Sequence, residues 1–404
     1  MRIFAPIFRT DTGMAIRFIA KFLISALVFC APCYVLGQHD SHEEVQQENH
    51  EETQNNHEET TDDAHNDAHD REHGHGDSFS SHISEFIVHH IADANKIVFF
   101  GEGESEVSIP LPMIIYVENT GLDVFMSSSF HGDHGSHGPK HATGPKTGVK
   151  YTMGDVGISA TNSNGDTVKI WDISITKSVF GMLAILTLLI VLLRRVAKSY
   201  SKREGMAPTG LTNFLEPLIL FVRDDIAYPV IGKEKSQKFL PFLLTIFFFI
   251  VGCNLLGLIP FLGGFNITGT IGITLVLAFL VFIITTINSN KHYWGHILWP
   301  PGVPLPIKFI LVPIEILSVF IKPTVLMIRL TANMSAGHII ILSFISLVFI
   351  FKDPQIAGIG MGVFSTLFMI FMYFLEILVA FLQAYVFTLL AAIYFSEATQ
   401  EAHH

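Results

Sequence analysis

The chain has 404 residues, half of them hydrophobic and only 15% charged, with a formal net charge of −11. Soluble domains carry about a quarter charged residues, so this balance argues against a cytosolic enzyme and against a nucleic-acid binder. The acidity is also local: Gln38 to Ser80 holds 14 Asp/Glu, one Arg and eight His, which makes −13 and leaves the other 361 residues at +2.

The amino terminus reads as a targeting segment. Arg17 and Lys21 precede the apolar run Phe22 to Val28, and small residues lead on to Gly37-Gln38. A positive flank, a short apolar core and a small residue before a polar start make a secretory signal peptide over residues 1–37. The competing reading, a first membrane span, needs ~20 apolar residues, and the run is shorter. Met14 offers an alternative start that gives a more ordinary signal length. Cleavage after Gly37 removes Cys30 and Cys33 and leaves Cys253, so the mature chain has no internal disulfide.

Residues 38–80 are nearly devoid of apolar side chains, cannot offset the chain entropy of folding, and read as disordered. Residues 81–172 read as a small, partly β region outside the cytoplasm. Glu106 to Tyr116 is rich in β formers, and Asn164-Gly165-Asp166 between two β-prone runs predicts a hairpin. A loop over residues 131–150 interrupts the region.

Residues 173–400 form a membrane domain. The first span covers Ile175 to Leu193, and Arg194, Arg195, Lys198, Lys202 and Arg203 crowd its far end, which marks that end as cytoplasmic. The connector to Lys238 carries further cations, among them Arg223. From Phe239 to Asn290 there is no Asp, Glu, Lys or Arg. Two spans, Leu240 to Leu262 and Ile271 to Ile287, occupy this stretch, with an outside turn at Gly263-Gly264 through Gly269. After a Pro-rich connector come two apolar stretches, 307–350 and 356–395. Each is about twice what one upright span requires, so each either bends into two segments or lies strongly tilted. The fold class is therefore an all-α polytopic membrane protein with about five membrane-spanning helices, the last two long and tilted in a hairpin, preceded by a small, partly β periplasmic region.

Ionisable groups in those two stretches point to an ion pathway. A charged Arg, Lys or Asp at the bilayer centre costs at least about 2.5–3.5 kcal/mol on insertion scales, yet the stretches hold Glu315, Lys322, Arg329, His338 and Glu376, with Ser318, Asn333 and Gln383 among them. Glu315, Lys322 and Arg329 stand seven apart and share one helical face; Ser318 and Asn333 fall on the same stripe. Glu376 and Gln383 repeat the spacing on the last helix, so the two stripes can face each other. Lys322 reads as an interfacial or structurally paired charge, with Pro323 breaking the helix beside it. Arg329 lies deep, cannot shed its proton, and has few anionic partners in this chain, which points to a counter-charge on another subunit. His338 and Glu376 suit a proton relay.

These residues carry a resemblance. Lys322-Pro-Thr-Val-Leu-Met-Ile-Arg329-Leu-Thr-Ala-Asn333-Met-Ser-Ala-Gly337-His338, Leu382-Gln383-Ala384-Tyr-Val-Phe387 and Asn254-Leu-Leu-Gly-Leu-Ile-Pro260 resemble subunit a of the F-type ATP synthase. His89-His90 looks like the amino-terminal region of that family. The resemblance implies a proton-channel stator with no catalytic chemistry or cofactor of its own, held in the inner membrane with its amino-terminal region periplasmic and its carboxyl terminus cytoplasmic. Its implied partners are the ring of c subunits, the b subunits of the peripheral stalk and membrane lipid. Arg329 would be the essential arginine facing each ring carboxylate, and Asn333 and Gln383 would line the same contact. His338 and Glu376 would belong to the periplasmic half-channel, with acid and imidazole exchanged relative to some members. Glu315 and Ser318 would lie at the cytoplasmic exit. Gly257 stands where the family often carries an acid, and residues 38–80 and 94–170 have no counterpart in its short form.

A competing reading is a divalent-metal transporter with a His-rich loop, in which His131, His134 and His137, with His141 nearby, act as weak ligand candidates. A membrane scaffold without transport is a third.

Overall fold

The structure is a computed structural model that describes residues 93–100, 107–118, 120–132, 140–154, 157–162, 165–202, 209–259, 264–350 and 356–400. The expected signal peptide, the acidic His-rich segment and His89-His90 lie outside the described residues.

Among the described residues nine strands precede the membrane helices: β1 (Lys96–Phe100), β2 (Val107–Pro110), β3 (Pro112–Val117), β4 (Gly121–Met126), β5 (His131–Gly132), β6 (Lys140–Thr143), β7 (Lys150–Gly154), β8 (Gly157–Thr161) and β9 (Ile170–Asp172). They pair antiparallel into three small sheets, β1-β2, β4-β3-β9 and β5-β6-β7-β8. The pleat of β3 turns Met113, Ile115 and Val117 inward onto Val149, Tyr151 and Ala160, which closes the two larger sheets over a common core. Among the described residues Asp123 is the one charged group sealed in that layer; Ile115 faces it across the ladder. Burial opposes its ionisation, but Thr147 Oγ1, Tyr151 Oη (2.7 Å) and the amides of Lys146 (3.0 Å) and Thr147 (3.2 Å) all donate to it and together hold its carboxyl below the usual range. Burial, with Asp123 adding to it, pushes Tyr151 up to about 12.

Two sequence expectations change here. The stretch 131–150 is not only a loop, since β5 and β6 lie in it. At the expected hairpin the Asn162 amide donates to Asp166 O (2.9 Å), Thr161 and Thr167 form one bridge, and Val168 N donates to Ala160 O (2.9 Å), but the pairing with β8 goes no further. β9 leaves β8 and pairs with β3, because Ile170 completes the inner layer from that position.

The membrane domain consists of α1 (Lys177–Lys202), α2 (Leu211–Phe221), a π-helical turn (Val222–Ala227), α3 (Tyr228–Ile231), α4 (Lys233–Gly257), α5 (Ile271–Ile287), α6 (Lys291–Leu298), α7 (Leu305–Ile350) and α8 (Ile356–Thr399). Among the described residues four helices are long and apolar enough to cross a membrane, and five spans result if α5 and α6, bent by 104°, count as one. α4 is the hub: Phe242, Phe247 and Phe249 are fully buried, and Phe239 stacks on Phe395 of α8 at 4.7 Å. The connector before α4 is helical too. Leu215, Ile219, Val222 and Ile226 recur at helical spacing and pack into the core, and Arg223 is buried there in a two-point contact with Asp224 (2.8 Å each).

α7 and α8 are each one continuous helix of 46 and 44 residues. At 1.5 Å per residue they reach about 69 and 66 Å, more than twice the ~30 Å hydrocarbon core. The expected break at Pro323 does not occur, and Pro313 is likewise inside the helix. A proline removes one ladder donor, and packing in a membrane bundle tolerates that loss. Only 6% of the most apolar window of α7 is buried, against 67% in α4. The α7–α8 hairpin therefore keeps an open apolar flank.

Candidate functional site

The two polar stripes meet. Asn333 Nδ2 on α7 donates to Gln383 Oε1 on α8 at 2.9 Å. Gln383 is buried and Asn333 is exposed, so the bond lies at the rim of the open flank. Arg329, one turn before Asn333, is exposed on the same side and makes no hydrogen bond or ion pair among the described residues. A guanidinium left unpaired on an apolar helix is a site awaiting an acceptor.

Two turns beyond, α7 and α8 touch at Gly337. A Cβ there would run into the Glu376 carboxylate, so only glycine lets Glu376 lie against the α7 backbone. Glu376 is buried. The next residue, His338, turns the other way, toward α4. Its Nε2 is buried without a hydrogen-bond partner and lies 3.3 Å from where a Cβ at Gly257 would stand. His338 and Glu376 are thus neighbours through Gly337, but no hydrogen bond joins them. The position where the resembled family often carries an acid is the glycine that leaves His338 its space.

Several polar groups at this end escaped the sequence reading. The segment 264–270 turns between α4 and α5 as expected, but its side chains are not solvent-facing: Phe265, Asn266, Ile267 and Thr268 are buried, and Phe265 O lies against Gly257. Thr268 Oγ1 donates to Asn254 Oδ1 (2.6 Å), and Asn254 Nδ2 donates to Ala380 O (3.2 Å), which ties α4 to α8. Thr274 and Thr331 share a hydrogen bond of 2.6 Å between α5 and α7. Lys177, buried at the start of α1, is near enough for its charge to act on His338. The signal was a polar residue in an apolar run, which Asn254 meets; Lys177, between Thr176 and Ser178, does not.

At the other end of α7, Glu315 and Ser318 are half-buried. Lys322 pairs with Glu397 of α8 at 2.5 Å and lies 5.5 Å from the Tyr394 ring, as its reading as a paired charge expects. Thr285, Thr286, Tyr293, Lys322, Tyr394 and Glu397 line a small cavity between α5, α7 and α8.

Of the histidines weighed as metal ligands, His131 Nδ1 bonds Ser129 O (2.9 Å), and its ladder neighbour His141 bonds Thr152 Oγ1 (3.0 Å). His134 and His137 lie outside the described residues. Among the described residues no three potential ligands gather.

The family model described as ATP synthase A chain matches residues 179–396, which takes in Arg329, Asn333, His338, Glu376 and Gln383. The chain belongs to that family. It is 41% identical over 238 residues to ATP synthase subunit a of Chloroherpeton thalassium, covering 58% of this chain and 69% of that protein. It is 46% identical over 235 residues to ATP synthase subunit a 2 of Chlorobaculum tepidum, covering 57% and 64%. With ATP synthase subunit a of Myxococcus xanthus it shares 38% identity over 247 residues, covering 58% and 75%. The chain is therefore an integral membrane protein of the ATP synthase A chain family, with the apolar helices and the ion-transport association of that family. A second family model, described as a domain of unknown function, matches residues 86–176. That match coincides with the strand-bearing region.

Proposed function

We propose that the chain is the proton-translocating stator of the ATP synthase membrane sector, forming two offset half-channels against a ring of c subunits. The observation that carries this reading is Arg329, exposed and unpaired beside the Asn333–Gln383 bond on the open flank of α7 and α8. A ring carboxylate arriving there meets a fixed cation that favours its ionised form. The proton must then leave on one side before the ring advances. A proton falling through about 100 mV releases ~2.3 kcal/mol, which rotation of the ring collects.

In this reading His338 and Glu376, with Asn254, Thr268 and Lys177 around them, belong to the periplasmic half-channel. Glu315 and Ser318 belong to the cytoplasmic exit, and the cavity at Lys322–Glu397 adjoins it. α7 and α8 lie about 60° off the bilayer normal, which fits their length to the ~30 Å core. The amino-terminal region is periplasmic, the carboxyl terminus is cytoplasmic, and the b subunits hold the chain against rotation. The divalent-metal transporter has no support comparable to the family match.

The reading is tested by co-purification and cross-linking. A cysteine at Asn333 should form a disulfide with a cysteine placed next to the buried carboxylate of a small hairpin protein that accompanies this chain. Failure to cross-link in intact, pumping complexes would remove the ring from this flank.

A further inference from the structure

The β4-β3-β9 sheet is apolar on both faces. Its inner face fills the small core; its outer face is bare. Across the ladders Tyr116 stands opposite Leu122 and Trp171, Ile114 opposite Val124, and Pro112 opposite Met126. Tyr116, Leu122, Val124, Met126, Trp171 and Ile173 are 43–49% exposed. An antiparallel sheet with one solvated face puts polar residues there, so a continuous apolar face marks a contact surface.

Three observations say what covers it. The ladder runs straight into the first span: Ile173 N donates to Ile114 O (2.9 Å), Ile175 N to Pro112 O (3.1 Å), and α1 starts at Lys177. The exposed side of α1 then continues with Phe180, Leu188 and Val191. The neighbouring β1-β2 hairpin is sunk into the membrane domain. Ile97 and Leu111 share a core with Met182 and Ile267, while Val107 and Ile109 face outward, 47 and 51% exposed. Finally, polarity is graded along the sheet. Residues next to α1 are aliphatic, Tyr116 and Trp171 come next, and the charges Glu118 and Lys169 lie at the far end, with Lys169 Nζ 5.5 Å over the Trp171 ring. Aliphatic, then aromatic, then charged is the order of side chains met on leaving a bilayer.

We propose that this face rests on the lipid leaflet at the side where α1 begins, and so makes the strand-bearing region a membrane-surface anchor. The outer edges of β4 and β9 pair with no strand among the described residues. Open edges are not tolerated in hydrocarbon, so the contact stays at the boundary between headgroups and acyl chains. The inference rests on the membrane assignment of α1 and not on the proton pathway.

A benzophenone amino acid placed at Val124, or at Trp171, in the intact complex in phospholipid vesicles tests it. Illumination should give phospholipid adducts several-fold above those from the same group at Lys150, an exposed residue of the four-stranded sheet. Adducts with another subunit or a second copy would assign the face to protein and overturn the proposal. Adduct yields no higher than at Lys150 would leave the face in water and overturn it as well. ATP-driven proton pumping, measured in the same vesicles, reports separately on the channel reading.

Discussion

Gly337→Ala puts a methyl group where the Glu376 carboxylate lies. Glu376 can escape by an off-rotamer swing, at about 0.5–1.5 kcal/mol, or the helices can part, an overpacking cost of about 1–3 kcal/mol. Helix propensity works the other way, since alanine is favoured over glycine by about 1 kcal/mol in a helix interior. Stability of the complex will therefore change little. Proton transfer through Glu376 will not be spared, because the strain falls on that carboxylate. Expressed as a barrier, 1–3 kcal/mol slows a step roughly 5- to 150-fold. The assay is ATP-driven acidification of vesicles holding the assembled complex, with ATP hydrolysis measured alongside. Shortening the acid withdraws its carboxylate from the methyl group, so Gly337→Ala with Glu376→Asp should pump faster than Gly337→Ala alone. If Gly337→Ala pumps at the parental rate, or if the shorter acid gives no relief, the packing of Glu376 on Gly337 is not part of the pathway.

Two further outcomes follow from the geometry. Asn333→Ala and Gln383→Ala each remove one partner of a single bond, worth about 0.5–1.5 kcal/mol net; in a double-mutant cycle on pumping rate the two losses should be less than additive, and simple additivity would mean that the bond plays no part. Asp123→Ala strands the Tyr151 and Thr147 hydroxyls, at about 1–3 kcal/mol, and should speed amide exchange in β3 and β7 of the intact complex while pumping continues. The same carboxyl is held below its usual range, so its contribution is complete above the ordinary value of about 3.9 and is lost as the pH falls through its lower folded value; acid should loosen the parent region and have less effect on Asp123→Ala.

Much of the fold was legible because lipid permits few solutions. The apolar runs located α5 at its observed bounds and α4 with its start seven residues late, and the spacing of polar groups gave two stripes able to face each other, on which Asn333 and Gln383 meet. What stayed hidden depended on distant partners. Length alone cannot tell a bent helix from a tilted one, and Pro323 argues for a break that packing against α8 overrides. Glu397 lies past the last apolar run, so nothing local marked it as the partner of Lys322. The turn over 264–270 has Gly, Asn and Thr content that did not mark its side chains as buried, and Asn254 offers Thr268 a buried acceptor there. β9 follows a sound turn signal but pairs with β3, more than fifty residues earlier.

The central claim is that Arg329 works on a partner carboxylate and not on this chain. Arg329→Ala in the whole complex, reconstituted in sealed vesicles, isolates it. The account predicts a complex that assembles and hydrolyses ATP but produces no acidification. Acidification at the parental rate by the assembled Arg329→Ala complex would contradict it.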